Sequence, residues 1–171
     1  DMLTLEQIAQ WELVRELTGA ARADIDELLW RRDVRAASRE VAQSSIARGG
    51  ADSAALEGAD LVGVEQSPMG EVLAASLAIT AEAPKMGEIW TRAPLQVITG
   101  LHTIAARKFV DINELARPRV TQKADDPLHI GSLPEYQEIP GALMRLSQQC
   151  STTKVPAVVE AGYVHGEIMR L

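Results

Sequence analysis

Apolar residues recur at helical spacing along most of the chain, and glycine or proline separates the helices that they predict. At the start, Thr4 and Gln7 have the spacing of a capping box, in which each side chain accepts a hydrogen bond from the other residue's backbone N–H. Apolar positions then continue at roughly helical spacing as far as Leu17, and Gly19 marks the expected end of this helix.

A second helix is predicted from Asp24, in the run DIDELLWRRDVRAASREVAQSSIA. Its acidic residues come early and its arginines later, an order that the helix dipole favours. Gly49 and Gly50 are expected to break this helix, because glycine is a poor helix former. The stretch that follows, RGGADSAALEGADLVG, then predicts a short helix of its own that contains Ser53 to Gly58.

Proline marks the expected starts of the later helices, because its fixed φ and missing N–H suit the first helical turn. These starts are Pro68, Pro94, Pro140 and Pro156. Between Asn113 and Pro134 the periodicity stops, and three prolines, a glycine and an Asp-Asp-Pro turn signal appear instead. The pattern predicts an all-α fold of about six or seven helices with a short hairpin or loop around residues 117–134. It is interpreted as one compact domain, with residues 1–50 as an N-terminal helical extension and 51–171 as the core.

The composition limits the partners and the cellular compartment that are expected for this protein. The net charge of −7 argues against nucleic acid as the main partner, because phosphate binding needs a basic face. The single cysteine, Cys150, excludes an intramolecular disulfide and fits a reducing compartment. No apolar run reaches the ~18 residues that a membrane span needs, and the N-terminus lacks the features of a secretory signal. A cytoplasmic protein without a membrane partner is expected.

The residues by themselves name no reaction. The motifs GxSxG, HExxH, GxGxxG and Walker A are absent, and the three histidines lack metal-ligand spacing, so no metal site is predicted. Cys150 lies at a predicted helix C-terminus, where the dipole disfavours a thiolate, so a nucleophilic role is not expected. His165 is interpreted as a packed histidine with one hydrogen bond.

Four segments, taken in order, resemble parts of the Fic/Doc (Fido) domain, a helical fold best known for transferring AMP from ATP to protein hydroxyls. LQVITGLHTIAARKFV resembles the family's early core helix, and RPRVTQKADDPLHIG resembles the flap that aligns the target peptide. LPEYQEIPGALMRLSQ and PAVVEAGYVHGEIMRL resemble the two helices that precede the catalytic signature. The residues that the resemblance assigns to the target-binding flap are Arg119, Val120, Thr121, His129, Ile130 and Gly131.

The stretch SAALEG matches the pattern (S/T)xxxE(G/N) of the inhibitory helix found in many Fic proteins, through Ser53, Glu57 and Gly58. In the family, this glutamate pairs with the last arginine of the signature and so competes with the terminal phosphate of ATP. The resemblance therefore implies that Glu57 inhibits the protein. The alternative is a solvated carboxylate near a helix that ends at glycine.

The signature itself, HPFx(D/E)GN(G/K)R, is missing, because the chain ends at Leu171, where the family has the residue before the signature histidine. His165 lies seven positions before that histidine and does not replace it. No residue of this chain is therefore assigned a catalytic role, and ATP and Mg²⁺ are implied by the family alone. We expect that the chain is part of a longer protein.

Three interpretations follow from the resemblance and its limits. In the first, the chain belongs to a self-inhibited adenylyltransferase that modifies a protein target, provided that an intact signature follows Leu171. In the second, it is a catalytically inert Fic-like scaffold or protein-binding module. In the third, it is an unrelated helical bundle. Association with further copies of the chain stays open in all three.

Overall fold

The computed structural model describes residues 3–56, 68–122 and 133–171, and for residues 53–56, 68 and 69 it describes the backbone alone. The α-helices are α1 (Leu5–Ala9), α2 (Glu12–Trp30), α3 (Arg32–Leu56), α4 (Pro68–Glu82), α5 (Gly87–Trp90), α6 (Pro94–Ala106), α7 (Ile139–Thr152) and α8 (Ala157–Arg170). Short 3-10 turns at Ala83–Met86 and Tyr136–Glu138 precede α5 and α7. The described residues contain no strand, and six of their helices have 13 or more residues, which confirms the predicted all-α fold of six or seven helices. No helix in this part of the chain is long and apolar enough to cross a membrane.

The helix starts predicted at Thr4 and at the prolines agree with the structure, whereas the start predicted at Asp24 is wrong, because Asp24 lies inside α2. Thr4 and Gln7 form the capping box at the start of α1, with both reciprocal hydrogen bonds present. Helices α4 and α6 begin at Pro68 and Pro94, and α8 begins directly after Pro156. Helix α7 has its proline in the first turn. Local chemistry explains this agreement, because caps and prolines act through groups within the first helical turn.

The predicted helix ends at glycine are wrong. Helix α2 continues through Gly19, and α3 continues through Gly49 and Gly50 to Leu56. A glycine costs a helix only about 1 kcal/mol relative to alanine, which is too little to end a long helix that its other residues favour. The described part of the predicted short helix after Gly50, residues 51–56, is consequently the last part of α3.

Residues 3–30, 91–95, 118–122 and 133–171 form one compact unit. Its core contains Leu5 from α1, Pro94 at the start of α6, Ile139, Ala142 and Leu146 from α7, and Val159 from α8, each at most 8% exposed. The three α7 residues lie at helical spacing on one face, so the helix packs against its neighbours along a single stripe. The large apolar side chains along α2 are in contrast about half exposed: Leu13, Leu17, Ile25, Leu28 and Leu29.

Residues 31–56, 68–90 and 96–117 form a second compact unit, in which α3 packs along α4. The Ser76 hydroxyl of α4 donates to the Gly50 carbonyl of α3 at 2.7 Å. After α6 the chain turns back, and the Ala116 N–H donates to His102 Nδ1 at 3.1 Å. Ala116 has a φ of 57°, a left-handed conformation that is rare for alanine and that this hydrogen bond holds in place.

Candidate functional site

Arg119 connects the segment after residue 118 to the C-terminal end of α8. Its Nε donates to the Leu171 carbonyl at 3.0 Å, its Nη1 to the Thr121 carbonyl at 2.7 Å, and its Nη2 to the Pro134 carbonyl at 3.0 Å. The side chain is half-buried. A cation at this place is favourable because the last carbonyls of a helix carry partial negative charge and lack partners within the helix.

Gln122 also links the two described ends of this loop by hydrogen bonds. Its amide nitrogen donates to the Pro134 carbonyl at 3.3 Å, and its Oε1 accepts the Tyr136 N–H at 3.1 Å. Together with Arg119, it holds residues 119–122 beside residues 134–136. Residues 119–122, near the start of the segment that the resemblance assigns to the flap, and residues 134–136, which follow that segment, therefore lie side by side at the end of α8.

The structure describes three of the six predicted flap residues. Arg119 faces the helix end, and Thr121 contributes its backbone carbonyl. The side chain of Val120 is 71% exposed. His129, Ile130 and Gly131 lie outside the described residues.

The inner face of α8 carries a charged pair next to the Arg119 contact. Arg170 donates to Glu167 through both Nε, at 3.3 Å, and Nη2, at 2.9 Å. The two side chains are only about 15% exposed, so solvent screens this fork-shaped pair less than it would a surface pair. Tyr163, one turn earlier, is partly buried, and this burial is the main cause that raises the pKa of its phenol.

Cys150 is half-buried near the end of α7. Burial, and after it the negative charge of Glu160, raise the pKa of its thiol to about 11. A thiol with this pKa is almost entirely protonated at neutral pH, and the thiolate is the form that acts as a nucleophile. Cys150 therefore lacks the chemistry of a nucleophile, in agreement with the interpretation of the sequence.

The interpretation of His165 as a packed histidine is wrong. His165 is exposed, and Val158, two turns earlier on the same face of α8, is 64% exposed. The buried face of α8 instead runs through Val159, Tyr163 and Glu167. Alternating apolar and polar residues made two faces of this helix equally plausible in the sequence, and packing against α1, α2 and α7 selected the one that contains Val159.

The predicted inhibitory motif lies mostly outside the described residues. Ser53 belongs to the helical backbone of α3, and Glu57 and Gly58 follow the end of its described part. The inhibitory role of Glu57 therefore stays a prediction.

Inspection of the sequence missed Gln122, Leu171 and the Glu167–Arg170 pair. The spacing of Glu167 and Arg170, three apart on a helix, is a usable signal for an ion pair. The sequence gave no signal for Gln122 or Leu171. The Gln122 amide binds the Pro134 carbonyl, and the Leu171 carbonyl binds Arg119, and only folding brings these groups together.

Across residues 3–56, 68–122 and 133–171, no three His, Cys, Asp or Glu side chains come together in a way that could hold a metal ion. Comparisons of the chain with protein-family models, with curated proteins and with solved structures find no match.

Proposed function

We propose that this chain forms the helical frame of a Fic-type protein that transfers AMP from ATP to a hydroxyl of a protein target. The observation that carries the proposal is the position of residues 119–122 and 134–136, the described ends of the loop between α6 and α7. Both of its described ends are hydrogen-bonded, through Arg119, to the C-terminal end of α8. In a Fic domain, the catalytic signature begins directly after this helix, and the flap must lie beside it to present the target hydroxyl.

In this proposal, the chain provides the helical scaffold and holds the target protein, and it does not carry out the chemical step. The described residues offer no cluster of carboxylates or histidines for Mg²⁺, and the chain has no general base that the resemblance identifies. The described residues therefore offer no such cluster of ligands for Mg²⁺, and we assign no step of the chemistry of ATP to this chain. Residues encoded after Leu171 would have to supply it.

Glu57 provides the test of the proposal. In the protein that includes the residues encoded after Leu171, we expect Glu57→Gly and Glu57→Gln to increase the incorporation of labelled AMP from ATP into protein. The reason is that either change removes the carboxylate that would occupy the phosphate-binding guanidinium. Glu40→Gln removes an exposed carboxylate from α3 and should leave incorporation unchanged, which makes it the matched control.

The outcomes separate the interpretations. Equal incorporation by the unsubstituted protein and both Glu57 variants would refute the inhibitory role and leave the transfer activity standing. Absence of incorporation in every variant would refute the transfer activity and favour the inert scaffold.

A further inference from the structure

Helix α2 presents a row of apolar side chains to solvent. The row repeats every four residues and is here named the α2 ridge: Leu13, Leu17, Ala21, Ile25 and Leu29. Its four large side chains are 49–63% exposed. Every residue from 19 to 30 is exposed, so the rest of the described chain covers little of the second half of this helix. A helical stretch of about 12 residues is marginal in water unless its apolar face is packed, so a partner on the ridge is expected.

One edge of the α2 ridge carries acidic charge alone. At about 3.6 residues per turn, four side chains of α2 lie along this edge, here named the acidic edge: Glu12, Glu16, Asp24 and Glu27. All four are exposed, and among the described residues no cation lies within salt-bridge distance of them. The other edge differs, because Arg22 and Asp26 form an ion pair there at 3.8 Å and the half-buried Val14 and Thr18 lie on that side.

We propose that the α2 ridge and the acidic edge together form a docking surface for a basic amphipathic helix of another protein. Such a helix would bury its own apolar face on the ridge. Its lysine or arginine side chains would then lie against the acidic edge, where opposite charges favour one orientation and one class of partner. The surface belongs entirely to α2, and the proposal does not depend on a transfer activity.

Charge decides between this partner and two other candidates for an apolar helix face. A second copy of the chain would bring the same helix, and α2 carries five acidic residues and two basic ones, so two copies of it repel each other. The anionic surface of a membrane attracts basic helices and is repelled by an acidic edge in the same way. Of the three, only a basic amphipathic helix matches both the ridge and its edge.

The probe for the experiment is a synthetic helical peptide of 19 residues, the length of α2. It carries leucine along one face, lysine along the edges of that face, and alanine and glutamine elsewhere. Two matched peptides separate charge from apolar area, because one has glutamate at every lysine position and the other has glutamine at every leucine position. Isothermal titration calorimetry measures the Kd of each peptide for the 171-residue chain.

Two variants of α2, each with a matched control elsewhere, assign the binding to this surface. Leu17→Gln removes an apolar side chain from the ridge, and Met144→Gln makes the same kind of change on α7, where the side chain is 62% exposed against 60% for Leu17. Glu16→Gln removes one charge from the acidic edge, and Glu40→Gln removes one exposed charge from α3. All four positions are exposed, and circular dichroism establishes that each variant keeps its helices.

We expect the leucine–lysine peptide to bind with a Kd of about 1–100 µM and both matched peptides to bind at least about tenfold more weakly. Leu17→Gln should raise the Kd about five- to tenfold through lost apolar burial. Glu16→Gln should raise it about two- to fivefold at low salt, the range of an exposed ion pair. Both control variants should bind like the unsubstituted protein. Equal affinity for the lysine and glutamate peptides, or an affinity that Leu17→Gln leaves unchanged, would overturn the proposal.

Two further measurements on the chain alone test the other occupants. Sedimentation equilibrium reports self-association, and flotation with phosphatidylcholine–phosphatidylserine vesicles reports binding to a membrane. We expect neither to depend on Leu17. A dimer that Leu17→Gln dissociates would show that a second copy covers the ridge, and vesicle binding that the same variant abolishes would show that lipid covers it. Either result would overturn the proposal.

Discussion

At the scale of single residues, Cys150 illustrates how the surroundings set the chemistry of a side chain. The thiol is half-buried between helices of its unit, and Glu160 adds negative charge nearby, so the pKa of the thiol rises from 9.0 to about 11. Its neighbours Gln149 and Tyr163 hold α1 in place: Gln149 Oε1 accepts the N–H of the fully buried Leu5 at 2.9 Å, and the Tyr163 hydroxyl lies 3.4 Å from the Leu3 carbonyl. This environment is structural and does not activate the thiol.

The raised pKa of Cys150 predicts a dependence of stability on pH. In the folded protein the thiol stays protonated up to about pH 11, whereas in the unfolded chain it ionises near 9.0. Its contribution is thus fully present below pH 9 and is lost as the pH rises through 11. We expect the unfolding free energy of the unsubstituted protein to fall more steeply over this window than that of Cys150→Ala, as measured by urea denaturation at a series of pH values. Ser151→Ala, at an exposed neighbouring position, is the control, and parallel curves for all three proteins would contradict the prediction.

At the scale of helices, the pair α3 and α4 explains why two adjacent glycines have different roles. A Cβ added at Gly50 would lie 2.8 Å from Leu77 Cδ2, closer than such atoms approach, and 3.0 Å from Leu77 Cα, at the very tight end of real contacts. A Cβ added at Gly49 would meet nothing within 4 Å. Gly50 is therefore required for the close approach of the two helices, and Gly49 carries only the entropic cost of glycine in a helix.

This difference predicts opposite effects of the same substitution. Gly50→Ala should lower the unfolding free energy by about 1–3 kcal/mol, because the backbone of Leu77 cannot move without separating α3 from α4. Gly49→Ala should raise it by about 0.5–1 kcal/mol, because alanine favours the helix and its methyl group has room. Denaturant unfolding of both variants tests the prediction, and equal effects of the same sign would refute the close packing at Gly50.

At the scale of the whole molecule, the hydrophobic core is small. Seven apolar side chains are buried among the described residues, six of them, including Pro94, in the unit that contains α1, α7 and α8, and Val97 in the other unit. Many large apolar side chains remain exposed, among them those along α2. Stability should therefore depend strongly on the few buried positions and weakly on the many exposed ones.

Two residues of α7 test this expectation on one helix. Leu146 is 2% exposed and Met144 is 62% exposed, and replacing either by alanine leaves the helix with a good helix former. We expect Leu146→Ala to cost about 2–5 kcal/mol of unfolding free energy through lost burial and a cavity. Met144→Ala should change it by no more than about 0.5 kcal/mol. Thermal or urea unfolding measures both, and similar costs for the two variants would show that the core does not lie on this face of α7.

The sequence by itself determined the all-α class, the capping box at Thr4 and the helix starts at proline. These features depend on interactions within a single turn, so the local residues specify them whatever the rest of the chain does. The sequence also indicated that the segment after Asn113 is irregular, because proline and glycine there interrupt the helical period.

Only the tertiary structure decided where the long helices continue and which faces they bury. Gly50 lies inside α3, against the prediction. Glycine is needed there because α4 packs so closely that a Cβ would meet Leu77. The buried face of α8 contains Val159 and Glu167, and His165 lies on the exposed one, because α1, α2 and α7 pack against the former. The candidate site depends most on the tertiary structure, since Arg119 meets the carbonyl of Leu171, 52 residues later in the chain. Every residue has a backbone carbonyl, so the sequence does not indicate which carbonyl the guanidinium binds, and only the folded structure shows it.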